Sequence, residues 1–167
     1  MRFLPLVALL VLTQAAAVSP ERLISGKGVG AIRLGMTLAE ARKAAPGATF
    51  TRTGDGDGAA LVQVTFAKDI ALQLWADEED ASKPIDWRSK ILNIETFSPA
   101  FRTAEGAHPG MKVGDLNRLY GATKAIETSE IESRQFITFE NHPAGLLFRL
   151  DETRDALLSI SVSSFEL

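Results

Sequence analysis

The chain has 167 residues, a net charge of −3 at pH 7, 46% hydrophobic residues and no cysteine. That apolar content is enough for a core and excludes a disordered chain. The missing thiols exclude disulfide staples and a lipidated cysteine, and a mildly acidic chain without a Lys/Arg block argues against nucleic acid or anionic lipid as partners.

The N-terminus carries Arg2, then an apolar run from Phe3 to Leu12, then Ala15, Ala16 and Ala17. That order is the charged region, apolar region and small-residue cleavage site of a secretory signal peptide. The run is about 10 residues where a membrane span needs about 20. Residues 1–17 are therefore expected to be a signal peptide removed on export. Residues 18–167 are expected to form one domain in the periplasm or the medium, with no insertion into the membrane.

Along the remaining chain, Gly35-Met36-Thr37-Leu38-Ala39-Glu40-Ala41 is echoed by Gly110-Met111-Lys112-Val113-Gly114-Asp115-Leu116. Downstream, Ile91-Leu92-Asn93-Ile94-Glu95-Thr96-Phe97-Ser98 is echoed by Leu157-Leu158-Ser159-Ile160-Ser161-Val162-Ser163-Ser164. Between these anchors Val62 and Val64 correspond to Ile137 and Phe139, and Ala71 to Trp75 face Leu146 to Leu150. The preserved order predicts an internal repeat with units at about 26–100 and 106–167.

Each unit opens with a short helix, since Leu38, Ala41 and Ala45 recur at helical spacing, as do Val113, Leu116 and Tyr120. Thr37 and Glu40 have the spacing of a capping box, while Pro46-Gly47 and Gly121 end the helices. Strands are expected at 49–53, 61–67, 70–75 and 90–97, then at 124–128, 135–140, 146–150 and 157–163. The alternation in Leu61 to Phe66 and Gln135 to Phe139 suits antiparallel strands with one wet face. The expected fold class is α+β: two tandem helix-plus-antiparallel-strand units, with helices packed on one face of an antiparallel sheet.

Two segments carry a resemblance: Ser25-Gly26-Lys27-Gly28-Val29-Gly30, and the run from Gly110-Met111-Lys112-Val113-Gly114 to Leu119-Tyr120-Gly121. With them the chain resembles the YfeY-like envelope proteins along most of its mature length. That family has no established activity, so the resemblance implies architecture and compartment. The chain departs from its lipoprotein members in lacking the lipidated cysteine. The Gly-Met-Thr helix opening is also similar to the tandem units of SmpA-type outer-membrane assembly lipoproteins and secreted β-lactamase inhibitory proteins, which implies a binding module.

Motifs for chemistry fail one by one. His108 and His142 each precede or adjoin a proline turn, and with no Cys they fall short of a zinc ligand set. Ser163-Ser164 lies outside any nucleophile elbow. Asp55-Gly56-Asp57-Gly58 opens like a calcium loop, but the twelfth position is Phe66 rather than Glu. Gly26-Lys27-Gly28-Val29-Gly30 lacks the Gly-Lys-Ser/Thr ending of a phosphate loop. No catalytic residue, metal or cofactor is assigned.

What remains is the acidic stretch in the extra length of the first unit, where Asp77, Glu78, Glu79 and Asp80 precede Trp87. As a binding loop, the acids would steer a basic partner and Trp87 would anchor it; as a structural loop, Trp87 would pack on the core. These features point to an exported non-catalytic binding module of the cell envelope that engages an envelope or secreted protein through the exposed sheet face or this loop. The alternative is a small-ligand or metal-binding periplasmic protein. The exported chain is expected to begin at Val18, which mass spectrometry of the secreted protein checks; retention of Met1 to Ala17 would contradict it.

Overall fold

A computed structural model describes residues 20–54, 59–78, 80–130 and 133–163. Residues 1–19, with the expected signal peptide, the Gly/Asp segment at 55–58, Glu79, residues 131–132 and residues 164–167 lie outside the described residues. After a 3-10 turn at Pro20–Arg22 come β1 (Leu23–Ser25), β2 (Gly28–Val29), β3 (Ile32–Arg33), α1 (Leu38–Ala44), β4 (Thr49–Gly54), β5 (Ala60–Ala67), β6 (Ile70–Ala76) and β7 (Ile91–Thr96). Then follow β8 (Arg102–Thr103), α2 (Val113–Tyr120), β9 (Thr123–Thr128), β10 (Gln135–Phe139), β11 (Leu146–Leu150) and β12 (Leu157–Ser163).

The expected α+β layering is overturned, because the described residues are 46% strand and only 12% helical. It is built on an eight-stranded antiparallel sheet in the order β4-β5-β6-β7-β12-β11-β10-β9 and a second sheet in the order β3-β2-β1-β8, not on a layer of helices over a sheet. The helical signals in the sequence are real but short-lived. Helix α1 ends at Ala44 before Pro46-Gly47, and α2 stops at Gly121, whose φ of 83° breaks the helical run. With two helices of 7 and 8 residues, much of the cover falls to short strands and connecting segments.

Alternation sets the large sheet. Val62, Val64, Leu72, Leu74, Ile94, Ile137, Phe148 and Ile160 face the core and are at most 1% exposed. They form one cluster with Ile24, Val29 and Ile32 of the small sheet, Leu38 and Ala41 of α1, and Leu116 and Tyr120 of α2. Burial of so many branched and aromatic side chains, each worth about 1.5–3 kcal/mol, is the main favourable contribution to the fold. Two glycines allow the small sheet to close on the large one: a Cβ on Gly26 would lie 2.3 Å from the Ala144 carbonyl oxygen, and Gly145, at φ 73°, backs onto Gly26.

The two halves of the large sheet meet where β7 pairs with β12, in the register Ile160↔Thr96, Ser161↔Glu95 and Val162↔Ile94. Contacts recur at matching places on either side. Gly35 N–H donates to Ile91 O at 2.8 Å and Gly110 N–H to Leu157 O at 2.7 Å. Ile91 N–H returns to Met36 O and Leu157 N–H to Met111 O, at 2.8 and 2.9 Å. The ladder shifts between Trp75 and Ala76 in one half and between Arg149 and Leu150 in the other. These ladders correct one detail of the sequence alignment. Trp75 pairs with Asn93 and Arg149 with Ser159, so Trp75 corresponds to Arg149 rather than to Leu150.

The helix starts differ in one testable respect. Thr37 caps α1 in a complete capping box, with Glu40 N–H donating to Thr37 Oγ1 at 3.2 Å and Thr37 N–H donating to Glu40 Oε2 at 2.8 Å. Lys112 holds the corresponding position of α2 with nearly the same backbone angles and no side-chain cap bond. Thr37→Ala is expected to destabilise the protein by about 1 kcal/mol, and Lys112→Ser to stabilise it by a similar amount. Thermal melts check both. The backbone N–H of Thr37 holds the Glu40 carboxyl below its ordinary value of 4.5. Its contribution is therefore present above that value and lost as pH falls through the lowered one, so wild type and Glu40→Gln should converge in melts at acid pH.

Candidate functional site

The large sheet turns one face to the core and leaves the other without a layer of secondary structure among the described residues. Across that open face the registers align Thr51, Gln63, Gln73, Glu95, Ser161 and Leu147 in one row. At the β7–β12 seam the face sinks into a concavity of about 320 Å³. Trp75, Phe136 and Leu147 are its apolar walls, and Asn93, Glu95 and Arg149 are among its polar lining.

Glu95 is 5% exposed although it lies on the face opposite the core. A buried carboxylate costs several kcal/mol unless it is paired and hydrogen-bonded. Ser159, itself buried, donates its hydroxyl to Glu95 Oε1. Arg149 Nη1 lies 3.9 Å from the same oxygen, close enough for attraction and too far for a hydrogen bond. A second arginine, Arg134, also lines the concavity. The arrangement suits binding: it has apolar walls and a small number of oriented polar groups. Another concavity of similar size lies between the small sheet and the end of α1. Its lining includes Phe66, Ile70 and Phe101, and its arginine, Arg22, lies over the Phe101 ring.

The residues that stand out in the sequence are placed elsewhere. Asp77 is exposed at the end of β6, and Glu79 lies outside the described residues. Glu78 forms an ion pair with Arg52 on β4, and its Oε1 accepts from Asp86 N–H at 2.6 Å. Asp80 accepts from Ser82 N–H and Oγ–H and pairs with Lys83 at 3.3 Å, and the Ser82 hydrogen bonds hold its carboxyl below the ordinary range. Trp87 packs against the core cluster, 5.9 Å from the Phe50 ring, with the Arg42 guanidinium 4.0 Å above its own ring. Arg52 clips the loop further by donating to the carbonyls of Lys83 and Pro84. Glu78 and Trp87 therefore serve to close the core beside β4.

The histidines are not brought together in one metal site. His108 Nδ1 lies 2.8 Å from Pro109 O, while His142 Nε2 bonds Leu146 O at 2.9 Å and its ring packs on Phe139 and Phe148. Among the described residues no cluster of His, Asp and Glu has metal-site geometry. Glu95 and Arg149 escaped the sequence reading because each is a single charge within a strand. The available signal was their parity: both alternate with core residues and so belong to the wet face.

No family model and no curated relative matches the sequence. Among solved structures, the crystal structure of the uncharacterized protein YfeY from Escherichia coli aligns over 84% of this chain and 99% of its own, with a TM-score of 0.57. The fold is that of YfeY. Sequence identity is 12%, so the likeness to YfeY is one of fold, in agreement with the resemblance carried by the Gly-Val-Gly and Gly-Met segments.

Trp87→Ala is expected to lower stability by about 3 kcal/mol, because it removes a large ring packed on the core. Asp77→Asn, a change at an exposed acid, should leave the melt within about 0.5 kcal/mol of wild type. Denaturant unfolding of the isolated variants checks both.

Proposed function

We propose that this chain is an exported, non-catalytic binding module of the bacterial cell envelope whose binding surface is the open face of the eight-stranded sheet. The observation that carries this reading is the concavity at the β7–β12 seam, where a buried carboxylate and a mostly buried arginine sit between aromatic walls. A sheet face that served only to be wetted would need neither. The signal-peptide pattern at residues 1–17 supports export, and no described helix is long and apolar enough to cross a membrane.

We also infer that the two halves are copies of one unit. Matching hydrogen bonds at Gly35 and Gly110, and matching ladder shifts after Trp75 and Arg149, support it. Core positions of the halves stay apolar in both, as Leu74 and Phe148 or Ile94 and Ile160 do, while open-face positions diverge to Trp75 and Arg149 or to Glu95 and Ser161. Packing constrains the first set. Recognition explains the divergence of the second.

Capture from periplasmic extract tests the reading, with wild type, Gln73→Lys on the open face, and Asp77→Asn/Asp80→Asn in the loop as baits. The envelope protein retained by wild type should be lost with Gln73→Lys, by about 2 kcal/mol or more if the face is the centre of the interface, and kept with the loop variant. Loss confined to the loop variant would transfer the binding surface to the acidic loop.

A further inference from the structure

We propose that the concavity at the seam binds a carboxylate carried on a flat apolar group, as at the free C-terminus of a chain ending in an aromatic residue. The inference rests on the sheet-face reading above and names the chemistry that face takes.

Arg149 is the reason. Its side chain is 24% exposed, and its one ionic partner among the described residues is Glu95 at 3.9 Å. The Glu95 oxygen nearest to it already accepts the Ser159 hydroxyl. A guanidinium offers five N–H donors in a planar fork, so most of the hydrogen-bonding capacity of this largely buried group is open. A carboxylate fills such a fork with two parallel charge-assisted bonds, the strongest pairing open to it. Arg134 lines the same concavity, so a second guanidinium stands among its walls.

The walls select what carries the anion. Trp75 on β6 and Phe136 on β10 line the concavity with Leu147, and all three present carbon surface. At about 320 Å³ the space is at the small end of ligand sites and suits a single ring with its acid group. Strands β6 and β11 are separated by β7 and β12, hence by about 14 Å. Trp75 reaches into the concavity from β6 and Arg149 from β11, where Phe136 of β10 is its register partner, so the cation has aromatic carbon beside it as well as across the hollow. The occupant's carboxylate is thereby placed toward β11 and its ring between Trp75 and Phe136.

The experiment titrates the purified exported protein with acetyl-Ala-Ala-Phe and 3-phenylpropionate as free acids, and with the amide of each, by calorimetry and tryptophan fluorescence. At least one free acid should saturate and bind about tenfold or more tightly than its amide. Arg149→Gln should erase that preference, and Arg149→Lys should restore part of it. Trp75→Phe should remove most of the fluorescence change while the calorimetric signal persists. A peptide that binds about tenfold more tightly than 3-phenylpropionate assigns the carboxylate to a chain terminus; equal binding assigns it to a free acid. The proposal is overturned if the amides bind as well as the acids, if Arg149→Gln with an unchanged melting curve binds like wild type, or if no acid saturates by about 10 mM. Should the acids fail while Gln73→Lys still abolishes capture of the envelope partner, the carboxylate site falls and the sheet-face reading stands. Arg149-dependent acid binding with capture unaffected by Gln73→Lys would sink the protein-docking reading alone.

Discussion

The antiparallel pairing of β7 with β12 is the constraint on which the rest of this molecule depends. Each half contributes four strands to the large sheet, and a four-stranded half ending at β7 or β12 would expose a long apolar edge. Pairing the two edges removes both at once. It also makes the core continuous, since Ile94 and Ile160 lie on adjacent strands and contribute to one cluster. The polar consequences follow from the same register. Because Ser161 is opposite Glu95, the central row of the open face places a carboxylate beside a small side chain, and the depression forms there.

The outer strands show how differently the halves treat their remaining edges. Beside β4 the loop through residues 80–87 folds back, held by Arg52 and Glu78 and weighted by Trp87 on Phe50. Beside β9 the core-side residue Ile126, which stands at the position of Arg52, is 45% exposed. Lys124 and Glu127 on that strand discourage edge-to-edge association by charge. The extra length of the first half is therefore explained by packing. A run of acids that reads as a steering patch in one dimension is, in three, partly consumed by the arginine next to it.

The large sheet was legible in the sequence because its strands alternate. All eight lie within a residue or so of the segments expected from patterns such as Leu61 to Phe66, since the period of two is imposed by burial of one face. The capping box of Thr37 and Glu40 was legible because it is local. Strands β1, β2, β3 and β8 were not, being two or three residues long and held by pairing with distant segments such as Leu23 with Arg102. The starts and stops of both helices were legible as well; what no pattern recorded is how little of the core face helices of 7 and 8 residues can cover, so that a second sheet shares the task. Of the candidate site, the wet face was foreseeable and its centre was not. Glu95 and Arg149 are 54 positions apart by their numbers and become neighbours through two ladders that no local pattern records.

The ladder shifts after Trp75 and Arg149 carry a further consequence. A bulge bends its strand and raises the local twist through the backbone, with little regard for which side chains stand beside it. Here a register shift follows Trp75 on one side of the seam and Arg149 on the other, so departures from a regular ladder stand at matching places in the main chain. Shape and chemistry are thereby decoupled. Side chains lining the hollow can be exchanged without flattening it, and a main chain of this kind keeps its fold while its sequence drifts as far as the 12% identity seen with YfeY.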